Sequence, residues 1–100
     1  KKIADGDAIF EKKLISAILL QTPQKLVIIE DCLRKKDWEG LRKMAHYFKS
    51  HFLVLNQPSV VEIADTIRKY AGQDVVETTI QTHKLINICE HIIIELKSNI

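Results

Sequence analysis

The sequence predicts an all-α fold, an antiparallel up-down four-helix bundle with an additional N-terminal helix. The chain has 100 residues, 46% of them hydrophobic, with only three glycines and two prolines. These values are typical of one folded helical domain, here residues 1–100. Apolar residues recur in successive segments at steps of three and four, the spacing of one helical face. No segment shows the alternation of a strand.

The first two predicted helices are separated by Thr22 and Pro23. Asp5 or Asp7 is suited to cap the first helix, which is expected to run to about Gln21. Thr22 is expected to cap the second helix, with Pro23 at its first position and its end near position 36. The side chains expected to face inward are Phe10, Leu14, Ala17 and Ile18, then Leu26, Ile29, Cys32 and Leu33.

The third predicted helix is the most regular. Asp37 is expected to cap it and Trp38 to begin it, directly after the second helix. Such a short connection predicts that these two helices are antiparallel neighbours. Its apolar stripe consists of Trp38, Leu41, Ala45, Phe48, Phe52 and Leu55. A stripe of this kind faces a core.

Two further helices follow a break at residues 56–58. Ser59 and Glu62 have capping-box spacing, and Gly72 suits a left-handed residue after the fourth helix. Asp74 is expected to start the last helix. The fourth helix should bury Val60, Ile63, Ala64, Ile67 and Tyr70 or Ala71, and the fifth is apolar on two sides, through Val76, Thr79, Ile86 and Ile93 and through Leu85, Ile88, Ile92 and Leu96.

His46 points away from the apolar stripe of the third helix, by about 130° at 100° per residue. Its neighbours within one turn are Arg42, Lys43, Lys49 and Ser50. The cations would favour a neutral, nucleophilic imidazole and would stabilise a dianionic group attached to it. The pattern fits a phosphoryl acceptor better than a general base, because the nearest acid, Glu39, lies about two turns away. An ordinary surface histidine is the alternative interpretation.

The residues around His46 resemble the phosphoacceptor helix of histidine-containing phosphotransfer (HPt) domains. The similar run is Ala45 to Ser50, preceded by Trp38 to Leu41 and followed by Leu55. The resemblance extends over about residues 7–97. It implies a four-helix bundle with an accessory N-terminal helix. It further implies that His46 accepts a phosphoryl group from a receiver-domain aspartyl phosphate and passes it to another receiver aspartate.

The sequence departs from the family pattern at several positions. Ser50 stands where the family has a glycine that gives the receiver access to the imidazole, and Asn56 stands at a later glycine position. His51 and Phe52 replace two small residues. We expect transfer to survive, because serine is small and polar and because His46 and Lys49 are both present.

The resemblance also implies the partners. These are receiver domains of response regulators and a sensor histidine kinase, with Mg²⁺ supplied by the receiver and no cofactor of the domain's own. The sequence has no nucleotide-binding glycine loop, which predicts a phosphocarrier and not a self-sufficient enzyme. We expect a monomeric cytoplasmic domain without membrane insertion. Because the chain opens with Lys1-Lys2 and not with methionine, two interpretations are open: a domain of a longer protein such as a hybrid sensor kinase, or a stand-alone protein.

Leu53, on the same polar face about two turns after His46, is either a docking contact or a stray surface leucine. Glu39 shares that face. Arg34 and Lys35 either complement the dipole of their helix end or face an acidic receiver surface. The main alternative function is a helical docking module that binds a partner without carrying phosphate.

Metal and nucleic-acid binding are disfavoured. None of the histidines pairs with a second metal ligand at zinc spacing, and Cys32 and Cys89 are predicted to be reduced, buried thiols. The net charge of +2 is too close to balance for a basic nucleic-acid surface. No apolar run reaches the roughly 20 residues of a membrane span.

Overall fold

The computed structural model describes residues 8–98, and side chains from residue 12 onward. Within this range the chain forms four helices and no strand. They are α1 (Ala8–Lys35), α2 (Trp38–Val54), α3 (Pro58–Tyr70) and α4 (Val75–Ser98). The predicted all-α bundle is confirmed. Asp5, Asp7 and the Phe10 side chain, which the prediction of the first helix included, lie outside the described part.

Each helix packs against two others, in the order α1–α2–α3–α4 and back to α1. Within the described residues, the diagonal pairs α1–α3 and α2–α4 make no direct backbone approach. Short turns connect consecutive helices, so this ring is the up-down topology. Helices α1 and α4 are longer than the other two, and the molecule measures 45 × 22 × 17 Å.

The break predicted at Thr22 and Pro23 was wrong. α1 is one continuous helix of 28 residues with Pro23 inside it, so the described residues contain no separate N-terminal helix. Thr22 does not cap a helix but is completely buried, on the same stripe as Ile18 and Leu26. Packing of this uninterrupted stripe outweighs the local preference of proline to end a helix. Ala17, by contrast, is exposed and does not join the core.

Two of the predicted caps are confirmed. Asp37 accepts a hydrogen bond from the Gly40 backbone N–H at 3.1 Å, at the start of α2. Asp74 accepts one from the Glu77 N–H at 3.0 Å, at the start of α4. Gly72 has the expected positive φ, of 83°. The capping box was wrong: α3 begins at Pro58, one residue before Ser59, and its N-terminus has no side-chain cap.

The turns before α2 and α3 are built alike. Lys36 follows α1 with φ of 58°, and the Asp37 N–H donates to the Cys32 carbonyl at 2.8 Å. Asn56 follows α2 with φ of 59°, and the Gln57 N–H donates to the Phe52 carbonyl at 2.9 Å. Both hydrogen-bond patterns are Schellman motifs. Asn56 therefore occupies a left-handed position for which asparagine is the best residue after glycine.

The core runs the length of the ring and is made of aliphatic and aromatic side chains. Four residues of the predicted α2 stripe are completely buried: Leu41, Ala45, Phe48 and Phe52. Trp38 and Leu55 are half-buried at the two ends of the stripe. On α4, Val76 is 70% exposed, so its predicted inward position was wrong, whereas Leu85, Cys89, Ile92 and Ile93 are buried. Because the buried side chains of α2 are packed in the core, the opposite face of this helix points to solvent.

Candidate functional site

Five exposed residues of α2 form an outward surface that we call the outer ridge: Glu39, Lys43, His46, Ser50 and Leu53. At 100° per residue they fall within an arc of about 80°. His46 lies at the middle of this ridge, over the buried pair of Ala45 and Phe48. His46 therefore points outward in the structure, as the sequence predicted.

The His46 imidazole is accessible to solvent. Among the described residues, its ring makes no hydrogen bond and no ion pair, in contrast to two other histidines. His51 Nδ1 lies 2.9 Å from the Tyr47 carbonyl oxygen, and His91 Nδ1 lies 2.8 Å from the Asn87 carbonyl oxygen. Both nitrogens of His46 therefore face solvent or an incoming partner, which leaves a lone pair available for attack on an electrophile.

Lys49 lies on the side of the outer ridge that faces α3. Its Nζ is 3.0 Å from Oδ1 of Asp65 on α3, and the Lys49 side chain is only 33% exposed. The same carboxylate oxygen is 3.7 Å from Nη1 of Arg68. The lysine predicted to support His46 is therefore also a partner in an ion pair between helices.

Arg42 is held farther away from the ridge. Its Nη1 donates to the Ala71 carbonyl oxygen at 2.9 Å, after the last turn of α3. This hydrogen bond places the guanidinium at the end of the bundle that contains Trp38 and Gly72. The sequence expectation that all three cations surround the imidazole thus holds best for Lys43, which is exposed and forms no ion pair within the described residues.

Ser50 and Leu53 continue the ridge toward the turn before α3. Both are exposed, and Leu53 is 62% exposed. Leu53 borders a groove of about 410 Å³ between α2 and α3. The groove is lined by Leu53, Asn56, Gln57, Pro58, Ser59, Val61, Glu62 and Asp65. An apolar side chain beside such a groove, about two turns from His46, can be covered by a bound protein.

The side of α2 that faces α1 carries an aromatic cluster. The Tyr47 ring lies 4.1 Å from the His51 ring, and the Lys25 Nζ lies 5.3 Å from the centre of the Tyr47 ring. Burial raises the pKa of the Tyr47 hydroxyl. His51 is half-buried, at the edge of the core. This cluster fills the α1–α2 groove and does not engage His46.

The basic run at the end of α1 is partly neutralised. Arg34 and Lys35 both form ion pairs with Asp31, one turn earlier on the same helix, and both remain exposed. Glu39 is exposed in the first turn of α2. Residues 34 and 35 and Glu39 therefore lie at the turn between α1 and α2, at the end of the outer ridge opposite Leu53.

Other kinds of site find little support. Within the described residues, no three His, Cys, Asp or Glu side chains are grouped so that they could hold a metal ion. Both cysteines are free, Cys89 buried and Cys32 half-buried. Burial, with the negative charge of Glu90 as a smaller cause, raises the pKa of the Cys89 thiol to about 12. None of the described helices combines the length and the apolar character needed to cross a bilayer.

Sequence reasoning missed Asp65 and its pair with Lys49. A signal was available, because Lys49 lies at the margin of the apolar stripe and an acid occurs on the following antiparallel helix.

Comparison of the chain with protein-family models, with curated proteins and with solved structures finds no match in any of the three. The residues of the outer ridge are therefore the basis for assigning a function.

Proposed function

We propose that this protein is a phosphorelay intermediate. His46 accepts a phosphoryl group from a receiver-domain aspartyl phosphate and passes it to the aspartate of another receiver. The observation that carries the proposal is the exposed, unbonded imidazole at the centre of the outer ridge, with lysines one turn before and one turn after it. The resemblance of residues 45–50 to HPt domains supports the same function.

The chemistry requires a neutral imidazole and an in-line approach. Nε2 of His46 attacks the phosphorus, the N–P bond forms, and the bond between phosphorus and the aspartate oxygen breaks. The aspartate leaves as a carboxylate, and the proton on Nδ1 stays on the ring. The reverse sequence delivers the phosphoryl group to the next receiver, so His46 is a nucleophile in one direction and a leaving group in the other.

The remaining residues of the site support this transfer without taking part in bond formation. Lys43 supplies positive charge near the phosphoryl oxygens, and Lys49 does so when its ammonium turns from Asp65 toward the ridge. Ser50 is small enough for a receiver to approach the imidazole, and Leu53 offers an apolar contact for that receiver. The Mg²⁺ that the reaction needs belongs to the receiver, and no cofactor is assigned to this chain.

A rigid scaffold under the nucleophile favours transfer. Phe48 and Ala45, on either side of His46 along the helix, are completely buried, and Asp37 fixes the start of α2. The imidazole is therefore presented by a helix whose position is set by core packing. Such preorganisation reduces the cost of aligning the ring with a receiver phosphate.

A docking module that carries no phosphate is the second candidate function. The groove beside Leu53 favours it, because it offers apolar side chains such as Leu53, Pro58 and Val61 to a bound protein. The two candidates differ in one result. A phosphocarrier becomes covalently labelled at His46, whereas a docking module only binds.

The test uses a panel of purified receiver domains charged with acetyl phosphate. We expect at least one of them to transfer its phosphoryl group to this chain, giving a base-stable, acid-labile product. His46→Gln should abolish the labelling with unchanged helicity. His83→Gln is the matched control, since His83 is also exposed but lies on α4. Labelling that persists in His46→Gln would refute the assignment, and receiver binding without any labelling would favour the docking module.

A further inference from the structure

The Lys49–Asp65 pair links the candidate phosphoacceptor helix to α3. We propose that Asp65 is a positioning residue that holds Lys49 while His46 is unmodified and releases it to the phosphoryl group once His46 carries one. This inference rests on the proposed function, since it assigns a regulatory contact to the same site. It adds a residue on a second helix that the pattern around His46 does not include.

Lys49 and His46 are close together along α2. Lys49 follows His46 by three residues, so the two side chains leave neighbouring positions on one helix face. Its ammonium lies 3.0 Å from Asp65 Oδ1, toward α3, and not on the ridge. The flexible four-carbon stem of lysine allows the ammonium to turn back toward a group attached to His46.

The two negative groups that can bind the Lys49 ammonium differ in strength. The Asp65 carboxylate carries one negative charge and is half exposed, so its attraction for Lys49 is screened by water. A phosphoryl group carries nearly two negative charges and three acceptor oxygens. The dianion is therefore the stronger partner when both are within reach, and phosphorylation should draw the ammonium away from α3.

The Asp65 carboxylate has a second cation beside it. Arg68 Nη1 lies 3.7 Å from the same Asp65 oxygen, one turn farther along α3. When Lys49 leaves, Arg68 remains as a counter-ion for Asp65. Release of Lys49 thus leaves no uncompensated charge on α3. Because Asp65 keeps Arg68 as a counter-ion, the free-energy cost of this release is small.

The consequence is competition for Lys49. A nearby cation disfavours protonation of the phosphorylated ring, and the protonated form is the one that loses its phosphoryl group to water. Asp65 should therefore shorten the lifetime of phosphohistidine by keeping Lys49 partly occupied. Removing the carboxylate should lengthen that lifetime.

The experiment labels the full chain with phosphoramidate, a small donor that requires no receiver docking, and follows the loss of the phosphoryl group by intact mass. Asp65→Asn should lengthen the lifetime roughly two- to fivefold, the effect expected of one exposed ion pair. Asp65→Glu, which keeps the charge, should restore a lifetime close to that of the unsubstituted chain. Glu62→Gln is the matched control, because it removes an exposed charge from the same groove without touching the pair.

A double substitution separates competition for Lys49 from a general charge effect. In the Lys49→Gln background, Asp65→Asn should leave the lifetime unchanged. An equal lengthening in that background, or a lifetime that Asp65→Asn leaves unchanged or shortens, would overturn the inference. If phosphoramidate and the receiver panel both fail to label His46 in the unsubstituted chain, the proposed function fails instead.

Discussion

The α2–α3 flank of the bundle and the α1–α4 flank expose different chemistry. On the first, charged side chains pair across helices, as Lys49 does with Asp65 and Arg42 with the Ala71 carbonyl. On the second, aliphatic side chains such as Val27 and Ile94 border a groove of about 370 Å³. Glu30 and Glu90 also line this second groove, but among the described residues the ion pair that joins two helices lies on the first flank. This contrast is why function is assigned to the α2–α3 flank.

The contrast extends to the two faces of α2 itself. The inner face carries Phe48 and Phe52, which are completely buried, whereas the outer ridge carries His46 and Leu53, which are exposed to solvent. A helix that is fixed on one side and free on the other can present a reactive group without moving. The largest predicted effect separates these two faces.

Phe48→Ala should reduce the free energy of unfolding by about 3–5 kcal/mol, because it removes a fully buried ring and leaves a cavity. Leu53→Ala, on the outer ridge, should change it by no more than about 0.5 kcal/mol. Urea unfolding followed by circular dichroism measures both. Equal losses for the two variants would show that the outer ridge is structural, which would remove the basis for treating it as a binding surface.

Much of this division of α2 could be predicted from the sequence. The periodicity placed Phe48 inside and His46 outside, and Asp37, Gly72 and Asp74 were correctly interpreted as helix ends. These features are local, since spacing along one helix and the identity of a capping residue determine them. They can therefore be predicted from the sequence of one helix, without knowledge of the helices that pack against it.

The failures at Thr22, Lys49 and Arg42 share one cause, which is that the outcome at each depends on a neighbouring helix. Thr22 and Pro23 look like a helix start, but packing against α2 and α4 carries the helix through them. Lys49 looks like a free cation beside His46 until Asp65 on α3 is considered. Arg42 likewise finds its partner 29 residues away. The choice of partner depends on how two helices are placed against each other, which single-helix periodicity does not determine.

The second prediction tests the burial of the Cys89 thiol on α4. Cys89 is completely buried on α4, and its thiol has a pKa of about 12 in the folded chain against an ordinary value of 9.0. Because the unfolded state loses this proton first, the folded state binds more protons between these values. The contribution of this thiol to the free energy of unfolding is therefore fully present below about pH 9, and it is lost as the pH rises toward 12.

The free energy of unfolding should consequently fall by up to about 1.4 kcal/mol per pH unit from this thiol above pH 9. In Cys89→Ala the fall with pH should be shallower by that amount, since alanine has no proton to lose. Urea unfolding at several pH values measures the difference. Cys32→Ala is the control, because Cys32 is only half-buried, although burial raises its pKa as well. Parallel pH profiles for the unsubstituted chain and Cys89→Ala would contradict burial of this thiol.

The smallest predicted effect concerns the aliphatic surface of the α1–α4 flank. Ile94 is 63% exposed and borders the groove with Val27, whereas its neighbour Ile93 is 7% exposed and belongs to the core. Ile94→Gln should change the free energy of unfolding by no more than about 0.5 kcal/mol, because little of its side chain leaves water on folding. Ile93→Ala, by contrast, should cost about 2–5 kcal/mol. If Ile94→Gln also left phosphoryl labelling of His46 intact, the two flanks would be independent, and a loss of labelling would instead show that the α1–α4 groove takes part in transfer.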